Sequence, residues 1–229
     1  MEPPYRSEVL YNGLNYPFSP LNRKNTLQSL ESVLPGESKR GYILHVGGNQ
    51  WYKNRSGVVA IYREYAKRLA APLPLLMVGP EPHRTLQKQA AESSGNGAIY
   101  FLTGIQDERL HAIYCAADVF LFPSLEEGFG WPIAEAQASG CLVLTTGHPP
   151  MTEVGGNAAF YLPRKPAGPP SACQAWAAQC AQSLQNVLSI PPSERLEWVS
   201  TGLVNAARFN PEPLLDRLET LYAQIIANP

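Results

Sequence analysis

The sequence predicts an α/β fold: a Rossmann-like, doubly wound parallel sheet of about six strands with flanking helices. Three observations predict it. Short apolar runs rich in β-branched and aromatic residues alternate with longer segments of helical period. Most of those runs end in glycine or another turn residue. The chain has 229 residues, enough for one large domain with its own core but too few for a pair of full-size domains.

In chain order, residues 1–23 read as a leading segment resembling an interdomain linker, 24–189 as the Rossmann-like unit, and 190–229 as C-terminal helices packing on it. Strands are expected at YILHVG (42–47), LLMVG (75–79), AIYFLTG (98–104), DVFLFPS (118–124), CLVLTTG (141–147) and AAFYL (158–162). Between them, apolar spacing and breakers predict helices over about 56–70, 84–94, 107–116 and 132–139. Asp107 is expected to cap the third, with Leu110, Ile113 and Tyr114 on its buried stripe. PRKPAGPPS (163–171) is a loop by composition. Beyond it, 173–189, 193–207 and 212–227 read as amphipathic helices, the last with Leu214, Leu215, Leu218, Leu221, Tyr222 and Ile225 along one side. No internal repeat is visible.

Composition narrows the function. With a formal net charge of −1 and thinly spread basic residues, the chain offers no broad cationic face for nucleic acid. MEPPYRSEVLY has acid and proline where a secretory signal needs an apolar centre, and no apolar run approaches a membrane span. A cytoplasmic protein without an integral membrane segment is therefore expected. Cys115, Cys141, Cys173 and Cys180 form no C-x-x-C pair and read as free thiols. Asp107, Asp118 and Asp216 are the only aspartates, so no D-x-D pair can hold a divalent metal on a diphosphate; neither metal nor cofactor is expected.

The chemistry concentrates in EEGFGWPIAEAQASG (126–140). Gly128 and Gly130 directly follow an expected strand and Pro132 falls where a helix begins, which reads as strand, tight loop and helix N-terminus. Such a terminus offers a phosphate unpaired amides and the positive end of the helix dipole. Glu127 precedes the turn and Glu135 lies in the helix, so the two carboxylates can face one ligand from two sides and accept hydrogen bonds from sugar hydroxyls. Two plainer readings stand beside this one: Glu135 complementing the helix dipole, and Glu126 or Glu127 as solvated loop charges.

A second glycine loop, HVGGNQWYKN, follows the first strand and contains Gly47, Gly48 and Lys53. The lysine can reach a phosphate as a point charge, or lie on the surface beside an aromatic-rich turn. This loop has neither G-x-G-x-x-G nor G-x-x-x-x-G-K-[ST], which argues against nicotinamide enzymes and P-loop ATPases. His45 reads as a core residue, His83 and His111 as loop and helix surface, and His148, at a strand's carboxyl end, as a candidate ligand contact. No Ser-His-Asp set is discernible.

HVGGNQWYKN, FLTGIQDERLHAIYCAADVFLFPSLEEGFGWPIAEAQASG and TEVGGNAAFYL, in that order, resemble the C-terminal half of family 4 (group 1) glycosyltransferases of the GT-B fold. The resemblance runs from about Val9, through the opening VLYNGLNY, to the C-terminus. The family's two glutamates with seven residues between them are matched by Glu127 and Glu135. It implies a single GT-B C-terminal-type domain with added C-terminal helices, whose ligand is a nucleoside diphosphate sugar (UDP-, GDP- or ADP-sugar). Carried over, Glu127 meets the donor sugar's hydroxyls and Glu135 the ribose hydroxyls. The backbone of Gly128, Phe129, Gly130 and Trp131 touches sugar or phosphates, Lys53 the diphosphate, and the turn at Gly104 and Ile105 the base, with Gly47 and Gly48 in the same donor-binding set. The family often has an arginine five residues before that lysine; this sequence has Gly48 there, with Asn49 and Arg55 as nearby substitutes.

Family members have two Rossmann-like domains with the active site between them, and the acceptor-binding N-terminal domain has no counterpart in this sequence. The resemblance thus implies the donor-binding domain of a retaining, metal-independent hexosyltransferase, inactive without an acceptor domain. The alternative is a non-catalytic nucleotide-sugar-binding or regulatory module that pairs with another chain. A nucleotide-sugar epimerase of similar fold would also need a second domain. An uncovered cleft face implies an exposed apolar or aromatic patch, met by a separate acceptor-domain protein or by self-association.

Overall fold

The computed structural model describes residues 8–92 and 97–227. The first seven residues of the leading segment, and the last two positions of the helix expected over 84–94, lie outside the described residues.

All the expected strands form, as β1 (Ile43–Val46), β2 (Leu75–Val78), β3 (Ile99–Leu102), β4 (Val119–Phe122), β5 (Val143–Thr146) and β6 (Phe160–Leu162). They make one six-stranded parallel sheet in the order β3-β2-β1-β4-β5-β6. β2, β4 and β5 are buried along their whole length, as an apolar run does in a sheet covered on both faces, whereas the edge strand β3 is only half-buried. Strand order reverses between β1 and β4. In open α/β sheets that is where loops part at the carboxyl ends and leave a crevice for a ligand.

The helices are α1 (Arg23–Ser29), α2 (Arg55–Ala66), α3 (Arg84–Ala91), α4 (Asp107–Ala116), α5 (Trp131–Ala138), α6 (Met151–Gly155), α7 (Pro170–Leu188), α8 (Pro192–Ala206) and α9 (Pro211–Ala227). α2 and α7 cover one sheet face, burying Val58, Ile61, Tyr62, Trp176 and Leu184. α4 and α5 cover the other, with Ile113, Tyr114 and Ile133 against Phe120 and Phe122 of β4. Proline occupies the first turn of α5, α7 and α8, where its missing N–H has no intrahelical partner to lose.

Some expectations need correction. α2 ends at Ala66 rather than near residue 70. Asp107 does not cap α4: Gln106 holds the N-cap position without a side-chain bond, and Asp107 and Glu108 sit in the first turn, where they complement the dipole. His111 is not at the surface. Residues 16–19 fold across it, Tyr16 and Phe18 stack edge-on against its ring, and its Nε2 lies 3.1 Å from Ser19 N and 2.6 Å from Ser19 O. α1 and α6 have no counterpart in the sequence reading. RKNTLQS carries no apolar period, yet Asn22 caps it by accepting from Asn25 N, and Arg23 anchors it through both oxygens of Asp118 at 2.9 Å. All four cysteines are free, Cys141 and Cys180 being buried.

α8 docks on α5 through Asn205 Nδ2, which donates to Gln137 Oε1 and to Val154 O, each at 2.7 Å. α9 differs. None of its described residues is buried, and Leu215, Tyr222, Ile225 and Ile226 are exposed. Between these helices, Phe209 is buried; its carbonyl accepts from Leu14 N at 2.8 Å and its ring meets Tyr11 and Phe129 edge-on. We expect Phe209→Ala to lower stability by about 3–5 kcal/mol in urea denaturation. A loss under about 1 kcal/mol would show that this ring does not hold the leading segment and the 128–130 loop together.

Candidate functional site

Two loops meet where the strand order reverses. The one after β1 ends in a 3-10 turn, Trp51–Lys53, followed by Asn54 in the left-handed conformation at φ 50°. The one after β4 enters α5 through Gly130 at φ 108°, a conformation that only glycine adopts without strain. Leu125 N donates to Tyr52 O at 2.7 Å and Asn54 Nδ2 to Pro123 O at 2.9 Å, so the two loops are stitched through their backbones.

Across this seam Lys53 Nζ donates to both oxygens of Glu127 at 2.8 Å. The two side chains are 15% and 6% exposed, so the pair is largely removed from water and each charge depends on the other. Ser124 Oγ is 2.6 Å from Glu127 Oε1 and 2.8 Å from Tyr52 O. The ammonium also stands over the rings of Phe122 (5.2 Å) and Tyr52 (5.7 Å).

His45 forms the floor. It is fully buried, stacked on Phe122, with Nδ1 3.0 Å from Leu121 O and no hydrogen-bond partner for Nε2 among the described residues. A Cβ at Gly47 would stand 3.0 Å from that Nε2, so a side chain there would push the ring. Burial lowers the His45 pKa to about 3; the Leu121 carbonyl opposes the shift, while Arg55 and Lys53 add to it. The sequence reading of His45 as a core residue agrees with this placement.

Glu135 lies in the second turn of α5, where Tyr114 O–H donates to its Oε2 at 3.0 Å. Burial raises its carboxyl pKa above the usual range; Tyr114 opposes this, Asp107 adds to it, and Lys53 pulls it down. The Lys53 charge is therefore felt at His45 and at Glu135, while its direct contact is with Glu127.

α5 starts at Trp131, one residue earlier than expected, with Pro132 in its first turn and Ile133 N donating to Gly130 O. Gly128 is exposed; the Phe129 ring packs against Trp131 at 5.1 Å. At Gly48 a Cβ would meet the folded-over Gln50 amide at 2.2 Å. Arg55 is only 5% exposed: its Nη1 donates to Asn49 Oδ1 and Pro80 O, its Cζ lies 5.6 Å from the Phe101 ring centre, and its Nε and Nη2 have no hydrogen-bond partner among the described residues. Gly104 (φ 66°) and Ile105 follow β3 at the sheet edge. His148 is exposed beyond β5, and His83 is exposed ahead of α3.

The structure thus brings Lys53 and Glu127 into contact, holds Glu135 on Tyr114 within electrostatic reach of Lys53, and leaves Gly104, Ile105 and His148 at other strand ends. Sequence reasoning missed Ser124 and Tyr114 as carboxylate partners. Ser124 had a signal, being three residues before Glu127 in a turn; Tyr114 was legible only as buried stripe. Arg164, 3.3 Å from Glu126, was also missed, lying inside a segment read simply as loop. Among the described residues no three His, Cys, Asp or Glu side chains are grouped to hold a metal ion, and no helix is long and apolar enough to cross a membrane.

This strand order, with a charged junction at its reversal point, defines a Rossmann-like α/β domain, the fold class shared with solved glycosyltransferases of the GT-B type. The chain belongs to the family described as Glycosyl transferases group 1, whose sequence model matches residues 30–186. It is 30% identical over 173 residues to O-antigen chain mannosyltransferase B of Escherichia coli, covering 75% of this chain and 42% of that protein. The chain therefore spans about two fifths of that relative's length. The C-terminal domain of a group 1 glycosyl transferase from Francisella tularensis superposes with a TM-score of 0.64 at 21% identity, covering 83% of this chain and 94% of that one. Sucrose-phosphate synthase from Thermosynechococcus elongatus gives 0.77 at 22% identity, over 97% of this chain and 53% of its own.

The buried imidazole makes stability depend on pH. Its folded pKa of about 3 lies below the unfolded value of about 6.5, so its contribution is full above about pH 6.5 and is lost as pH falls towards 3. We expect native protein to lose about 2 kcal/mol more than His45→Gln between pH 7.5 and 5.0 in chemical denaturation. Parallel curves for the two proteins would mean that His45 titrates normally.

Proposed function

We propose that this chain is the nucleotide-sugar donor-binding domain of a retaining, metal-independent family 4 glycosyltransferase, with residues 24–189 as the donor-binding unit. The observation that carries the reading is the Lys53–Glu127 pair at the reversal point of the sheet, beside the start of α5. A nucleotide sugar presents hydroxyls at both ends and a diphosphate between them. Glu127 would receive the sugar hydroxyls and Glu135 the ribose hydroxyls. Lys53 and the helix start would receive the diphosphate, with the backbone of Gly128, Phe129, Gly130 and Trp131 alongside and Gly47 and Gly48 lining the opposite loop. Gly104 and Ile105, at the end of β3, would border the base.

Group transfer of this kind depends on stabilising the departing nucleoside diphosphate, and preorganised positive donors supply that without a metal. Retention rests on the family resemblance. The hexose favoured as first probe is mannose, because the E. coli relative is named as a mannosyltransferase. An acceptor must be held within reach of the donor, and that task falls to a further domain in this polypeptide or another; a cytoplasmic setting fits a nucleotide-sugar donor.

The exposed side of α9 supports a partner for this chain. Leu215, Leu218, Tyr222, Ile225 and Ile226 are exposed on a helix with no buried residue, the kind of patch that protein contacts cover. A non-catalytic module that pairs with another chain would use the same surface.

Calorimetry with UDP, GDP, ADP and their hexose conjugates, with and without EDTA, tests the reading directly. We expect at least one nucleotide to bind, unaffected by EDTA, and Lys53→Ala to weaken it by at least a few fold, a charge-assisted contact being worth about 1.5–3 kcal/mol. Equal affinity in mutant and parent would remove Lys53 from the site. Light scattering should show concentration-dependent association that Tyr222→Glu abolishes; a strict monomer that captures no partner would count against a docking role for α9.

A further inference from the structure

We infer that the Lys53–Glu127 pair selects the ligand by exchange: Glu127 becomes available to sugar hydroxyls only when a diphosphate draws Lys53 away from it. The inference rests on the donor-site reading above and adds to it a rule about which ligands the site admits.

In the free protein Glu127 is already engaged. Oε1 accepts from Lys53 at 2.8 Å and has Ser124 Oγ at 2.6 Å; Oε2 accepts from Lys53 at 2.8 Å. Only 6% of the side chain is exposed, so an arriving hydroxyl meets a carboxylate that is both occupied and covered. A neutral hydroxyl is a weaker partner for a carboxylate than an ammonium is, because only the ammonium adds the attraction of a full opposite charge, and here that attraction is little screened by water. A free hexose therefore cannot displace Lys53.

A diphosphate can. It carries more than one negative charge and competes for the ammonium itself, which sits at the end of a flexible four-carbon stem and has three donors to redirect. Ser124 stays beside Glu127 after Lys53 leaves, its Oγ also lying 2.8 Å from Tyr52 O and 3.1 Å from Glu126 O in the stitched seam. The carboxylate is then held in position with an acceptor oxygen uncovered. Sugar recognition at Glu127 thus depends on the phosphates linked to the sugar, and a free sugar does not engage it.

Exchange predicts that weakening the pair strengthens diphosphate binding. Inorganic pyrophosphate is the probe, measured by calorimetry against native protein, Glu127→Gln, Glu127→Asp and Glu126→Gln. Glu127→Asp keeps the charge but withdraws the carboxylate by one methylene, so it separates loss of the contact from a change in net charge. Glu126→Gln alters net charge one residue away without touching Lys53; it also releases Arg164 from their 3.3 Å contact, so any gain it shows is an upper bound on the net-charge effect, and thermal denaturation verifies that each variant is folded. We expect both Glu127 variants to bind pyrophosphate on the order of ten-fold more tightly than native protein, and Glu126→Gln to stay within about two-fold. Free mannose should give no heat with native protein at concentrations where a mannosyl nucleotide does.

Equal gains in Glu126→Gln and Glu127→Gln with none in Glu127→Asp would reduce the effect to net charge and overturn the exchange. Pyrophosphate binding by native protein with no gain in either Glu127 variant would overturn the exchange and leave the donor site standing. If Glu127→Gln does not fold, Glu127→Asp alone decides between gain and no gain. Absence of pyrophosphate binding in all four proteins would overturn both the exchange and the donor-site reading.

Discussion

The contact between Lys53 and Glu127 is the constraint on which the rest of the junction depends. It joins residues 74 positions apart, one from the loop after β1 and the other from the loop after β4, at the place where the sheet's order reverses. Two charges so nearly withdrawn from water are tolerated only as a pair, since removing either partner leaves the other desolvated, at a penalty of about 3–5 kcal/mol in buried cases. The requirement propagates outward. Tyr52 must turn its carbonyl to Leu125 N, Asn54 must adopt its left-handed conformation at φ 50°, and Gly130 must turn sharply into α5 for the two loops to stay in register.

The sheet makes that register possible. β1 and β4 are parallel neighbours, paired at Ile43 with Val119 and at Leu44 with Phe120, so their carboxyl ends emerge side by side while their following segments leave for opposite faces. α2 goes to the face built on Val58, Ile61 and Trp176, and α5 to the face built on Tyr114, Ile133 and Phe120. The crevice is thus a consequence of topology. Its chemistry comes from the few residues that topology delivers to its walls.

How much of this could be read in advance depended on range. The strands were legible because a strand buried on both faces must be apolar throughout, as LLMV and VFLF are. The α4 helix was legible over its full length from breakers and period, although the identity of its cap was not. α1 was illegible: what holds RKNTLQS is Asp118, 95 residues away from Arg23, and no local pattern announces that. His111 failed for the same reason, its cover coming from Ser19, 92 residues earlier. At the site, Glu127, Glu135 and Lys53 could be chosen by residue type and loop context, but the partners that fix their carboxylates, Ser124 and Tyr114, depend on side-chain directions that spacing does not encode.

The floor of the junction adds no charge to what Lys53 supplies. His45 is uncharged down to about pH 3, and its neighbour Phe122 offers only a ring face, so the floor supplies no net charge at neutral pH. Arg55 is close enough to act on His45, yet its guanidinium is turned to Asn49, Pro80 and the face of Phe101 and is nearly sealed from solvent. Gly48 carries no side chain of its own, and Gln50 is folded over it. An anion entering between the two loops would therefore meet Lys53 and the amides that open α5, with Arg164 already on Glu126 at 3.3 Å and Lys165 3.4 Å from Asn54 Oδ1. On the donor-site proposal Lys53 serves either the protein's own carboxylate or a ligand's phosphates, and the junction then responds to what enters it, because the same ammonium cannot fully satisfy both.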